Sequence, residues 1–468
     1  MDGFEKRDFM RRKIRQIHFV GIGGIGMSGI AEVLLNLGYG VSGSDVSASD
    51  ITRRLASLGA RVCAGHRESN VGDADVVVVS SAVGKDNPEI REAVRRSVPV
   101  IPRAEMLAEL LKMKFSIAVS GCHGKTTTTS MIATILATGG LDPTMVIGGK
   151  LARMGSNARL GSGEVIVAEA DESDGSFLSL APSIAVITNI DREHVDYYAD
   201  IDAIKNAFLR FANTVPFYGT TVLCLDDVHI RDILPAMKRR IITYGMSEVA
   251  DYRISDILFD GMTSRCTLSY RQEIIGDIEL QVPGQFNLYN ATAAVAVARE
   301  LDMDFSMIRH GLASFAGVER RMQIKGSVDG VTIVDDYGHH PTEIQATLGA
   351  MRQVWNTRLI VVFQPHRYTR TQALMEEFAG SFHSADHVIL TDIYAASEKD
   401  IPGVHSRVLY ERIRNQGHAG VSYIPDFQEI VRHLDGIVRP GDVVLTLGAG
   451  NVWKIGEQFL QLRASHGE

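Results

Sequence analysis

Gly121, Gly124, Lys125 and Thr126 stand in the order a triphosphate requires. Within Phe115 to Met131, a short apolar run from Ile117 to Val119 enters a loop holding both glycines, and Lys125 and Thr126 then open a helical run. Glycines let backbone N–H groups approach an anion, and the helix start adds partial positive charge. Lysine supplies a full charge, and a threonine hydroxyl can hold magnesium. The expected ligand is a nucleoside triphosphate, with Gly121, Cys122, His123, Gly124, Lys125, Thr126 and Thr127 around it. Only Cys122 and His123 separate the glycines, a shorter spacer than the common P-loop has. A thiol at Cys122, beside Lys125 at a helix start, is expected to be acidified and open to oxidation.

Two further apolar runs end in polar clusters. Val165 to Ala168 leads into Glu169-Ala170-Asp171-Glu172-Ser173-Asp174, and Ala185 to Ile187 leads into Thr188-Asn189-Ile190-Asp191-Arg192-Glu193-His194. In an open parallel sheet the residues just beyond strand ends line the ligand crevice. Carboxylates there can coordinate magnesium, and a histidine can join them at a second metal, although acidic residues in such places also cap helices. Thr263 to Tyr270 and Ile278 to Val282 alternate as antiparallel strands. Asn287 and Asn290 then share one face of a helix start, where amides can read a purine or cap the helix.

A new pattern begins near Met322. Runs Thr332 to Val334, Leu359 to Phe363, Val388 to Thr391 and Val443 to Leu447 end, respectively, in Asp335 to Glu343, Gln364 to Thr371, Asp392 to Glu398 and Gly448 to Asn451. These four ends are expected to gather on one edge of a third α/β domain. Their histidines, arginines and tyrosines suit a multiply anionic intermediate.

The elements that position these groups start at the N-terminus. A strand from Gln16 to Val20 meets Gly21, Gly23, Gly24 and Gly26, then a helical run with Ile30, Val33, Leu34 and Leu37, then a strand from Tyr39 to Gly43 ending at Asp45. That is the context of a dinucleotide fingerprint, which specifies a pyrophosphate and a ribose more than it specifies nicotinamide. NAD and another nucleotide both remain open on these residues. Ala74 to Ser80 is a further strand with Ser80 and Ser81 at its end, and Val98 to Ile101 leads to Arg103 and Glu105.

The 468 residues suggest about three domains. The boundaries expected are 1–112 for a Rossmann-like domain, 113–320 for a P-loop-type parallel sheet with an antiparallel addition, and 321–468 for a second Rossmann-like domain. A net charge of -8 argues against nucleic acid or an anionic membrane as partner. The first dozen residues lack the apolar core of a signal peptide, and no apolar run approaches the roughly 18 residues of a membrane span, so a cytoplasmic protein is expected. Cys63, Cys122, Cys224 and Cys266 show no metal-type spacing, which suits reduced thiols.

Taken together, Gly121 to Thr127, Glu169 to Asp174, Thr188 to His194, Asn287 with Asn290, Arg320-Arg321, Asp335 to Pro341 and His366 to Arg370 resemble the Mur ligases, in order and over essentially the whole chain. The resemblance accounts for the short phosphate loop, because that family uses Gly-x-x-Gly-Lys-Thr. It implies an ATP-dependent amide ligase of cell-wall (peptidoglycan) precursor synthesis, joining L-alanine to the lactyl carboxylate of UDP-N-acetylmuramate through an acyl phosphate. Gly21, Gly23, Gly24, Gly26, Asp45, Ser80 and Ser81 would then hold the UDP part, with Tyr337 and His366 on the sugar side. ATP would lie on Lys125 with Asn287 and Asn290 at adenine, with Thr126 and Glu169 on one Mg2+ and His194 near a second. Lys125, His194, His339, Arg367 and Arg370 would surround the reacting groups, with His194 or His339 accepting the amine proton. The implied assembly is a monomer or homodimer.

Three positions depart from the family pattern. Cys122 stands for threonine, Phe286 for the histidine before Asn287, and Ser397 for glycine. Rival readings are a ligase of the same family that attaches a preformed murein peptide, an NAD-dependent oxidoreductase, and a non-catalytic nucleotide-binding scaffold.

Overall fold

The computed structural model describes residue 10 and residues 13–80, 82–147 and 158–466. Ser81, expected at the UDP site, lies outside them. The chain forms three α/β units, each built on its own sheet.

The first sheet contains β1 (Gln16–Val20), β2 (Gly40–Asp45), β3 (Arg61–Ala64), β4 (Val76–Val79) and β5 (Val100–Pro102), in the order β3-β2-β1-β4-β5. All its pairings are parallel. The strand order reverses between β1 and β4, so the glycine loop after β1 and Ser80 after β4 face each other across the crevice.

The second sheet holds β6 (Phe115–Ser120), β7 (Thr144–Val146), β8 (Ala158–Arg159), β9 (Val165–Glu169), β10 (Ile184–Ile187), β11 (Thr220–Cys224), β12 (Arg240–Gly245), β13 (Tyr252–Asp260), β14 (Thr263–Tyr270) and β15 (Glu273–Leu280). β6 pairs in parallel with β10 on one side and β9 on the other. The phosphate loop therefore emerges between the two acidic clusters. The middle of the central strands β6, β9 and β10 is apolar, and Ile117, Ala118, Val167, Ala185 and Val186 are fully buried. β13 continues the parallel order from β12 and then pairs antiparallel with β14. Strand β15 starts earlier than the alternation from Ile278 to Val282 suggested, because a bulge between Leu268 and Ser269 lets the pairing continue back to Glu273.

The third sheet holds β16 (Gln323–Val328), β17 (Val331–Asp336), β18 (Leu359–Phe363), β19 (His387–Leu390), β20 (Val421–Tyr423) and β21 (Val443–Leu447), in the order β16-β17-β21-β18-β19-β20. β17, β21, β18 and β19 are consecutive and parallel, which brings their four polar ends onto one edge as expected. Separate apolar clusters pack its two faces, one around Val361, Phe363 and Phe378, the other around Ile333, Val444 and Phe459.

Candidate functional site

The phosphate loop bends where only glycine is comfortable. Gly121 has φ +129 and Gly124 has φ +80, and a Cβ at Gly121 would collide with Thr188 Oγ1. From the first turn of the helix Lys125–Thr138, the Lys125 ammonium donates back to Gly121 O at 2.7 Å and to Glu172 Oε1 at 2.8 Å. Burial works against this charge, but the neighbouring Glu172, Glu169 and Asp171 outweigh it and hold Lys125 firmly protonated. The same Glu172 Oε1 accepts from His194 Nε2 at 3.0 Å. The Thr126 hydroxyl donates to Glu169 Oε2 at 2.9 Å. Sequence placed Lys125, Thr126, Glu169 and His194 at one site, and the structure gathers them there.

Glu172 is the group that sequence reading did not single out. It is fully buried, and its Oε2 has no hydrogen-bond partner among the described residues. A buried carboxylate oxygen without a donor is costly unless a cation satisfies it. Nearby, Thr126 Oγ1 and Glu169 Oε2, 2.9 Å apart, offer oxygen donors, the chemistry a hard divalent cation selects. These residues fit magnesium.

Cys122 corrects an expectation. Its thiol is buried, and Sγ accepts from Asp191 N at 3.1 Å. Burial first, then the Glu172 charge, push the thiol pKa well up despite Lys125. It is neither acidified nor accessible to oxidants, because a helix start cannot offset enclosure among carboxylates.

Beside the loop opens a cavity of about 730 Å³, lined by Gly124, Thr127, Phe286, Asn287, Asn290 and Arg321 among others. This is a size typical of small-molecule sites. Thr128 Oγ1 donates to Asn290 Oδ1 at 3.1 Å, and Asn290 Nδ2 lies 3.4 Å from Asn287 Oδ1. Asn287 Nδ2 is occupied by Pro283 O at 2.7 Å. A Cβ on Gly124 would sit 2.6 Å from Asn290 Oδ1, so the asparagine end of the cavity packs directly on the phosphate loop.

The third sheet presents a tier of aromatic and basic side chains. The Arg320 and Arg321 guanidinium groups both lie over the Tyr337 ring, 5.0 and 5.4 Å from its centroid. His339 and His366 have ring centroids 5.7 Å apart, and His366 stacks on Tyr394. Burial and the Arg370 charge lower His339 to about 4, while burial followed by the charges of His339 and Arg370 lowers His366 to about 3. Both rings are neutral near pH 7. Arg370 forks onto both oxygens of Glu193 at 3.1 Å, while Arg367 reaches Asp196 at 3.4 Å. Glu193 Oε2 also lies 3.5 Å from His194 Nε2, so the tier and the phosphate-loop cluster form one continuous site. His194, Arg320 and Arg367 all adopt left-handed backbone, at φ +52, +60 and +70, a strain that accumulates where function fixes geometry.

In the first sheet, Gly21 has φ +83 and its missing side chain leaves room for Ser80. The Gly23 amide donates to Asp45 Oδ2 at 2.8 Å. Asp45 thus holds the loop, and a Cβ on Gly23 would crowd that carboxylate. Gly24 caps the helix Ile25–Asn36, and a Cβ on Gly26 would touch Arg103, whose guanidinium reaches Asp171 at 3.4 Å. Arg103 links the glycine loop to the acidic cluster of the second unit.

Residues 16–115, 119–298 and 320–450 match, respectively, the models described as "Mur ligase family, catalytic domain", "Mur ligase middle domain" and "Mur ligase, glutamate ligase domain". The chain is 65% identical over 457 residues to the UDP-N-acetylmuramate--L-alanine ligase of Syntrophus aciditrophicus, covering 98% of this chain and 95% of the relative. It is 57% identical over 452 residues to the ligase of the same name from Geotalea uraniireducens, covering 97% and 99%. The crystal structure of a UDP-N-acetylmuramate-alanine ligase from Thermotoga maritima superposes with a TM-score of 0.82 at 28% identity, covering 96% and 99%. A murein peptide ligase from Psychrobacter arcticus shares the fold, with a TM-score of 0.71 at 24% identity over 96% and 98%.

Proposed function

The chain belongs to the Mur ligase family, and from that premise we infer that it joins L-alanine to the lactyl carboxylate of UDP-N-acetylmuramate, using ATP, as a step in peptidoglycan precursor synthesis. The observation that carries the reading is the continuity of one site, from Lys125 through Glu172, His194 and Glu193 to Arg370 and His366. It places a phosphate loop against a tier of cationic and neutral imidazole groups, which is what activating and trapping a carboxylate needs.

A carboxylate is a poor acyl donor because oxide leaves badly. Here its oxygen attacks the γ-phosphorus of ATP, the bond to the β-phosphate oxygen breaks, and ADP leaves, giving an acyl phosphate. Lys125 offsets charge on the transferred group. Thr126, Glu169, Glu172 and His194 are the residues that would hold Mg2+, whose bound charge neutralises the triphosphate. The amine of alanine then attacks the acyl carbon, and the carbon–oxygen bond to phosphate breaks. A neutral imidazole is needed to take the amine proton, and His339, neutral and placed in the tier, serves, whereas His194 is committed to Glu172 and Mg2+. Asn287 and Asn290 line the adenine side, while Gly21, Gly23, Gly24, Gly26 and Ser80 receive the UDP diphosphate. We place the protein in the cytoplasm, where ATP and nucleotide sugars are supplied.

The test is phosphate release from ATP and magnesium with UDP-N-acetylmuramate, adding L-alanine or a murein tripeptide in separate reactions and weighing the products. Turnover with L-alanine and a product of matching mass is expected. Turnover with tripeptide alone would move the assignment to peptide recycling, and silence in both would overturn the substrate reading.

A further inference from the structure

We propose that His123 is a positioning residue that couples filling of the phosphate loop to seating of the C-terminal domain, by bridging Asp191 after β10 and Glu343 in the first turn of the helix Pro341–Val354. His123 Nε2 lies 2.9 Å from Asp191 Oδ2, and His123 Nδ1 lies 3.5 Å from Glu343 Oε1. Both ring nitrogens therefore face carboxylates of different domains.

The contact is built from both sides. Thr342 Oγ1 donates to the same Asp191 Oδ2 at 2.7 Å, and His340 Nε2 donates to Arg192 O at 3.2 Å. The His123 and His340 rings pack with centroids 4.9 Å apart. Glu343 is fixed in turn: its Oε2 accepts the His339 amide at 2.9 Å and the His340 amide at 3.3 Å, the latter as part of the box that caps its helix. On the loop side, His123 N donates to Asn189 Oδ1 at 2.8 Å and His123 O accepts from Thr188 Oγ1 at 2.6 Å. A displacement of the phosphate loop is thus transmitted to the ring.

Electrostatics agree. Burial alone would neutralise the ring, but its hydrogen bonds to Asp191 and Glu343 raise it to about 10, so it is a cation at neutral pH. Withdrawing the C-terminal domain strips this cation of one carboxylate and strips Asp191 of Thr342. Asp191, His123 and His340 have ligand-type atoms within 4.8 Å of one another, but His340 Nδ1 already accepts the Thr342 amide at 3.3 Å. The cluster is complete as a hydrogen-bonded bridge without an ion.

The inference rests on the loop being the ATP site, and its test separates the two ideas. AMP-PNP with magnesium is titrated into the full-length wild type, His123→Gln, Glu343→Gln and the double variant, recording Kd and hydrogen exchange over residues 339–354. Glutamine at 343 keeps the helix cap, so that variant retains its fold. Nucleotide is expected to protect 339–354 in the wild type and to lose that effect in each single variant. Kd should weaken about 5- to 150-fold, the ordinary range of coupling between sites, and the double variant should be no worse than either single one. Wild-type protection in both single variants, or losses that multiply in the double variant, would overturn the coupling. Failure of the wild type to bind AMP-PNP would overturn the ATP reading and the coupling with it.

Discussion

Replacing Glu172 with glutamine tests the heart of the site. One oxygen of this fully buried carboxylate takes two charge-assisted hydrogen bonds, from Lys125 Nζ at 2.8 Å and His194 Nε2 at 3.0 Å. Such bonds are worth about 1.5–3 kcal/mol each, so roughly 3–6 kcal/mol of interaction converges on one atom. Glutamine keeps an acceptor of nearly the same shape but not the charge. Losing about half the interaction, roughly 1.5–3 kcal/mol, from the pose in which Lys125 meets the triphosphate corresponds to about 10- to 150-fold in kcat at about 1.4 kcal/mol per decade. The other oxygen has no partner among the described residues, so the variant should also require more magnesium for half-maximal rate. Steady-state amide formation across a magnesium series measures both effects, with thermal unfolding as the check on folding. A kcat within about threefold of wild type, with an unchanged magnesium requirement, would refute the reasoning.

Lys125→Ala should abolish amide formation by at least about a thousandfold while leaving a folded protein, because it removes the cation on the transferred group; circular dichroism and product mass check the pair. Gly121→Ala should destabilise the middle domain by about 1–3 kcal/mol and raise KM for ATP, since φ +129 and the collision with Thr188 Oγ1 cannot both be relieved. Glu89 is held to about 2: burial alone would raise it, but hydrogen bonds from His18, Ser44, Asn70 and the Arg67 amide outweigh that effect. Its folded pKa lies below its unfolded one, so it contributes about 3 kcal/mol above pH ~4.5 that is lost as pH falls toward 2. Urea unfolding at pH 3 and 6 should therefore differ more for the wild type than for Glu89→Gln. Maleimide at neutral pH should label Cys63 before Cys122, whose thiol is buried and pushed up; peptide mapping reads the order.

The parts legible in sequence were those where a short-range pattern forces a structure. β1, β18 and β21 have the bounds their apolar runs suggest and β14 those its alternation suggests, and the polar clusters lie at strand ends because a parallel sheet delivers all its carboxyl ends to one edge. Lys125, Thr126, Glu169 and His194 followed from that rule. Glu172 did not, because in sequence it is one of several carboxylates after β9, and only the turn after the strand aims its oxygen between Lys125 and His194. Burial was equally invisible at Cys122, where the helix start argued for acidity and enclosure reversed it. The role of His123 escaped because Glu343 lies in another domain, joined to it only by the packing of the third unit on the second. Strand β13, between β12 and β14, was missed because its alternation is one-sided and exposed toward its end, at Leu258.

The most direct test of the central claim follows oxygen. UDP-N-acetylmuramate carrying 18O in its lactyl carboxylate is turned over with ATP, magnesium and L-alanine, and the released phosphate is weighed. Attack of that carboxylate on the γ-phosphorus predicts one 18O in each phosphate and one retained in the amide carbonyl. Phosphate free of label, with amide formed, would contradict the acyl-phosphate account.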